Sequence, residues 1–379
     1  MNRLTRTGGA SLRAFVIGLL LCTATAAQAA DAGWTDRIIV KYRAPATDAT
    51  AQTSQARGAQ LSAQRFGVGL SRLRTTALGS QVLKVDRRLS PNDAQALARD
   101  IAANDPNVEY AEPDRMMQRT LSPNDTRYNE QWHYFESAAG INAPAAWDKS
   151  TGAGVVVAVI DTGYRPHPDL AANLLAGYDF ISDTFVSNDG NLRDSDASDP
   201  GDWINAGECG NGKPTTFEAS SWHGTHVAGT IAAVTNNGSG VAGVAFNAKV
   251  LPARVLGKCG GYTSDIADAI IWTSGGTVSG VPANANPAKV LSISLGGGGA
   301  CDTTTQSAIN SARSRGASVI VAAGNEAVNA SNSSPANCSG VVTVAAVGRN
   351  GGRAFYSNFG ATVEVAAPGG SGSGNANSV

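Results

Sequence analysis

The 379-residue chain has no surplus of charge of either sign, with 29 Lys and Arg against 30 Asp and Glu. That excludes a surface built to neutralise nucleic-acid phosphates. It has no apolar stretch of the ~20 residues that crossing a bilayer requires, because the run Ala14 to Leu21 is broken soon after Cys22. It has no Cys-x-x-Cys pair, so a cysteine zinc site is not expected. One Asp-Thr-Gly stands at 161 to 163 and there is no second, which argues against an aspartic protease, whose two carboxylates must share a proton. With 42 % apolar residues the chain can bury a core, so neither a disordered tail nor a small disulfide knot describes it.

What is present begins with an address. Arg3, Arg6 and Arg13 precede the short apolar run, and Ala27-Gln28-Ala29 offers a small-x-small cleavage site. Residues 1–29 therefore read as a signal peptide for a released, extracellular product without a membrane anchor, passing through the periplasm if the cell is Gram-negative. Removing Cys22 leaves Cys209, Cys259, Cys301 and Cys338. An even number in an exported chain implies disulfides, and of the three possible pairings the sequence-local closures 209 with 259 and 301 with 338 are expected.

Beyond the leader the grammar changes once. Residues 31–120 read as a small α+β unit: strands at 37–43, 82–87 and 108–111, and helices at 49–66 and from Ser90-Pro91 to about Ala103. From Gly152 onward short apolar runs without polar alternation, at 155–160, 249–255, 290–294, 318–323 and 341–347, predict fully buried parallel strands. Helices are expected at 223–233, 263–272 and 303–315. This is a doubly wound α/β sheet, whose sites lie at the carboxyl ends of its strands.

Asp161 ends the first of those strands, where a carboxylate needs a donor to stay charged. His223-Gly224-Thr225-His226 opens a helix after Ser220-Ser221. A zincin would need histidines at i and i+4 with Glu between them, and Gly224 and Thr225 follow His223 instead. His223 is therefore read as a base and His226 as a packed, hydrogen-bonded neighbour.

These two segments, followed by Ser294-Leu295-Gly296-Gly297, Ala322-Ala323-Gly324-Asn325 and Ala366-Ala367-Pro368-Gly369, resemble the subtilisin-like serine proteases (subtilases, peptidase family S8). The resemblance implies a subtilisin-like sheet over 121–379, preceded by a ferredoxin-like inhibitory propeptide over 31–120. It implies that Asp161 orients His223, that His223 takes the proton of a serine nucleophile, and that Asn325 donates to the oxyanion. Ser294, Leu295 and Gly296 would form one wall of the first specificity pocket and pair with an extended peptide. Ala322, Ala323 and Gly324 would form the other wall, leaving room for a large apolar or aromatic side chain. Asp169 and Asn237 match the two halves of a calcium site, and Asp194, Asp196, Asp199 and Asp202 suggest either a second one or an acidic insertion.

The serine itself is not found. The family carries it in a Gly-Thr-Ser-Met-Ala type segment opening a buried helix, and the chain contains no Gly-Thr-Ser. Ser371 and Ser373 have no following helix and are not assigned. Two readings follow: a piece of a longer polypeptide, inactive and poorly folding without that helix, or a peptide-binding pseudoprotease. A metal-dependent hydrolase using His223, His226 and the Asp cluster is a further alternative. Residues 31–120 carry 13 basic and 10 acidic side chains, and 121–379 carry 13 and 20. This contrast fits a propeptide that chaperones and inhibits its own enzyme, with the cut near Thr120-Leu121. The expected partners are protein or peptide substrates, acted on by a monomer.

Overall fold

The computed structural model describes residues 34–43, 49–116, 122–372 and 379. The leader, the expected cut and Ser373 lie outside them. The chain divides into two compact units, one ending at Arg119 and one beginning at Thr120.

The first unit is a four-stranded antiparallel sheet of order β2-β3-β1-β4 with two helices. Its strands are β1 (Thr35–Tyr42), β2 (Leu70–Thr75), β3 (Gln81–Leu89) and β4 (Val108–Pro113), and its helices α1 (Ala49–Arg65) and α2 (Pro91–Asn104). Helix α2 starts where the sequence says it should. Ser90 accepts the Asp93 N–H at 3.2 Å, and Pro91, which has no N–H to leave unpaired, takes the first helical position. Ile38, Val40, Leu83, Leu97 and Ile101 close the core. Strand β2 is not predicted by pattern, because Leu70 is its only buried residue.

The second unit holds a seven-stranded sheet of order β13-β12-β10-β8-β5-β7-β6, parallel throughout. Its strands are β5 (Val156–Asp161), β6 (Tyr178–Asp179), β7 (Lys249–Arg254), β8 (Val290–Ile293), β10 (Ser318–Ala322), β12 (Val342–Val347) and β13 (Val365–Pro368). A short ribbon pairs β9 (Gly297–Gly298) with β11 (Ser333–Ser334). The helices are α3 (Ala143–Trp147), α4 (Thr184–Ser187), α5 (His223–Ala232), α6 (Thr263–Thr273) and α7 (Thr303–Ser314). The strand order reverses at β5, whose neighbours β7 and β8 lead away in opposite directions. A crevice is expected at the carboxyl end of such a switch.

One expectation needs correction. Strands β5 and β7 are buried nearly throughout, but β10 and β12 alternate between buried and half-buried or exposed positions. Ile320, Val342 and Val344 are only half-buried, because among the described residues one side of this part of the sheet is incompletely covered.

The two cysteine pairs form as expected, Cys209 with Cys259 and Cys301 with Cys338.

Candidate active site

Asp161 is the last residue of β5 and fully buried. His223 is the first residue of α5. The helix can sit this close only because Gly224 has no side chain, since a Cβ there would lie 2.2 Å from the Gly163 carbonyl oxygen. Gly224 N–H in turn donates to Thr162 Oγ1 at 3.0 Å, and Thr162 Oγ1 donates to Asp199 Oδ2 at 2.8 Å. The strand end and the helix start are thereby stitched together.

The result is a 2.7 Å hydrogen bond between His223 Nδ1 and Asp161 Oδ1, with the Thr162 N–H donating to the same oxygen at 2.8 Å. The Asp161 bond raises the His223 pKa above its ordinary 6.5, partly opposed by burial and assisted by the charges of Asp161 and Asp202. Asp202, read from the sequence only as part of an acidic run, stands instead beside the base. It accepts the Ser221 N–H and hydroxyl at 2.6 and 2.7 Å, fixing the segment that leads into α5.

A cleft of about 430 Å³ opens from His223. Ser294, Leu295, Gly296, Ala322, Ala323, Gly324 and Asn325 all line it, together with Thr162, Asp202 and Cys259. The wall segments follow β8 and β10, so the parallel strands deliver them to one edge of the sheet. Ser371 is not part of this cleft; it borders a separate small hollow beside Gly348, Arg349 and Asn350.

Other expectations fare differently. His226 is exposed and not packed, one turn along α5 from the Asp161 pair. Asp169 and Asn237 do meet, but as acceptor and donor: Asn237 Nδ2 donates to Asp169 Oδ1 at 2.6 Å, and Val241 N–H to Oδ2 at 3.2 Å. Asn237 Oδ1 is engaged by the Ser239 N–H. Both Asp169 oxygens and Asn237 Oδ1 thus already accept N–H groups of the chain, and no step is assigned to a calcium ion here. The acidic run is spread along its loop. Asp194, Asp196 and Asp199 accept the N–H groups of Asp196, Ser198 and Gly201. Among the described residues no group of three or more His, Cys, Asp or Glu is placed to hold a metal ion.

A larger hollow, about 910 Å³, runs along Thr225, His226, Gly229 and Thr230 of α5 and reaches His133. His133 is 8 % exposed, and neither of its ring nitrogens has a hydrogen-bond partner. Burial first, then the neighbouring His226, pushes its pKa from 6.5 down to about 4. The unfolded chain then takes up the proton before the folded one does as the pH falls. Stability is expected to drop between pH 6.5 and 4, by about 3 kcal/mol once the lower value is passed. Urea unfolding across that range checks this: His133→Phe should flatten the acid limb, and an unchanged limb contradicts the assignment.

Comparison with known proteins enlarges the frame. The subtilase family model matches residues 152–379. An extracellular protease of Xanthomonas campestris pv. campestris is 60 % identical over 304 residues, 80 % of this chain and 52 % of the relative. An extracellular basic protease of Dichelobacter nodosus is 46 % identical over 338 residues, 88 % of this chain and 56 % of the relative. A solved structure of proteases from Pseudoalteromonas arctica superposes with a TM-score of 0.65 at 66 % identity, covering 67 % of this chain and 74 % of that one. The chain thus spans about half the length of the two protease relatives.

Proposed function

The chain belongs to the subtilase family, and from that premise we propose that it is part of an exported serine endopeptidase made as a zymogen, whose nucleophile lies beyond Val379. The observation that carries the reading is the 2.7 Å pair of Asp161 and His223 opening on the cleft that Asn325 lines. Asp161 holds the Nδ1 proton, so that Nε2 of His223 is the free base. That nitrogen removes the proton of a serine hydroxyl as the oxygen attacks the scissile carbonyl, then returns it to the leaving amine. The Asn325 side-chain amide donates to the oxyanion, a contribution worth about 3 kcal/mol in rate.

Glycine and alanine at 296, 322, 323 and 324 leave the pocket wide, which favours a large apolar or aromatic residue before the scissile bond. Ser294 to Gly296 offer backbone for the peptide to join as an added strand. The nucleophile's helix is assigned to the hollow along α5. Residues 31–120 are assigned as the inhibitor removed on maturation, and their basic balance suits an acidic enzyme unit. Export is consistent with the relatives' being named extracellular; no helix among the described residues is long and apolar enough to cross a membrane.

The test uses a longer form that includes the sequence after Val379. A fluorophosphonate should label it at one serine, a zinc chelator should not affect it, and the precursor should process itself. The 379-residue chain should remain unlabelled. Continued self-processing after His223→Ala, or labelling of the 379-residue chain, overturns the reading.

A further inference from the structure

Asn325 sits on a loop, and a loop that must place an amide to within a fraction of an ångström needs something rigid behind it. The neighbouring chain supplies it. Asn358, between β12 and β13, is fully buried. Its Nδ2 donates to Ala323 O at 2.9 Å, to Glu326 Oε2 at 2.8 Å and to Ser333 Oγ at 3.0 Å. Its Oδ1 accepts the N–H groups of Glu326 and Val328 at 3.1 and 3.0 Å, and its own N–H donates to Gly324 O at 3.0 Å.

We infer that Asn358 is the positioning residue of this site, the one side chain that fixes the Asn325 loop on both sides and ties it to the opposite wall of the specificity pocket. The inference rests on the peptidase reading above and adds to it a residue that touches no substrate.

Three features support it. The contacts bracket Asn325, falling on residues 323 and 324 before it and 326 and 328 after it. Glu326 Oε2, held by the Asn358 amide, also accepts the Asn325 N–H at 3.0 Å, so the bracket reaches Asn325 itself. Gly324 is at φ +107°, and a Cβ there would lie 2.2 Å from Asn358 Nδ2. The loop thus adopts a backbone only glycine takes readily, and the amide fills the space gained.

The second wall is reached through Ser333. It belongs to β11, whose partner β9 directly follows Ser294 to Gly296. One planar group therefore sets the width of the pocket as well as the position of Asn325. No other side chain of this size can do so. Both lone pairs of Oδ1 are used, and the two amide hydrogens are shared among three acceptors. Aspartate has the shape without the donors, and leucine has neither donors nor acceptor.

A purely structural asparagine would lower stability when replaced and leave the turnover of the folded molecules alone. In the longer form, Asn358→Asp is expected to lower kcat on a peptide with an aromatic residue before the scissile bond by about ten- to a hundred-fold. Adding Glu326→Gln, which turns a donor toward the new carboxylate at 358, should recover most of that loss. Combined with Asn325→Ala, Asn358→Asp should cost less than the product of the two single effects. Fully multiplicative losses, or a lower melting temperature with unchanged kcat, overturn the inference. If Asn358→Asp does not fold, Ser333→Ala removes a single acceptor and should raise KM a few-fold with kcat held; an unchanged KM then counts against the link between the walls. Asn325→Ala alone judges the underlying reading: if it leaves kcat intact, the peptidase assignment fails whatever Asn358 does.

Discussion

Asp161→Asn is expected to lower kcat of the longer form by about ten-thousand-fold while KM stays within a few-fold. An asparagine can still offer an oxygen to the Thr162 N–H, but its amide hydrogens then face His223 Nδ1. That stabilises the tautomer with the proton on Nε2, where it cannot accept one from serine. The effect has a second readout in the 379-residue chain that needs no turnover. The Asp161 bond is the first cause of the raised His223 pKa, so the ring of the variant should titrate at lower pH, followed by NMR. The sign for stability follows. A raised histidine pKa contributes stability that is complete below the ordinary 6.5 and is lost as the pH rises through the folded value. The wild-type chain should lose that contribution on the alkaline side and the variant should have little to lose. A His223 titration that does not move would detach Asp161 from the base.

Arg254→Met is expected to cost about 3–5 kcal/mol of stability. Arg254 ends β7 beside Asp161 and is 1 % exposed. Its guanidinium bonds Asp179, which is fully buried, the Ser187 carbonyl, and Asp189 at 2.7 Å. Burial already lifts the Asp179 pKa to about 7, and removing the cation leaves that carboxyl without its counterpart in a dry site. Adding Asp179→Asn should recover a large part of the loss, because the amide oxygen can still accept the Ile181 N–H that Asp179 Oδ1 accepts at 2.8 Å. Chemical denaturation of the wild type, the single and the double variant decides it, and a double variant no more stable than the single refutes the account.

Asp161 and His223 are legible in the sequence because each stands at a break between two periodicities, an apolar strand giving way to a glycine turn and a loop giving way to a helix. The strands at 249 and 290 are legible because their short, mostly apolar runs lie between loop segments. Strand β2 is invisible because an edge strand with one buried residue carries no alternation, and β13 because it is short and ends in Pro368. His226 is misjudged because spacing along a helix says which residues share a face and not what covers that face. Arg254 and Asn358 escape for a common reason. Their importance lies in partners distant along the chain, and a base in a strand or an asparagine in a loop has no local signature.

Each disulfide closes a loop beside the groove. Cys259 is itself on the cleft, and Cys301 and Cys338 lie a few residues beyond the ends of β9 and β11. Their sequence separations are 50 and 37, for which chain-entropy reasoning gives about 4 kcal/mol each relative to the reduced chain. Both closures therefore hold only where thiols oxidise. A copy kept under reducing conditions would lose the two braces beside the groove together.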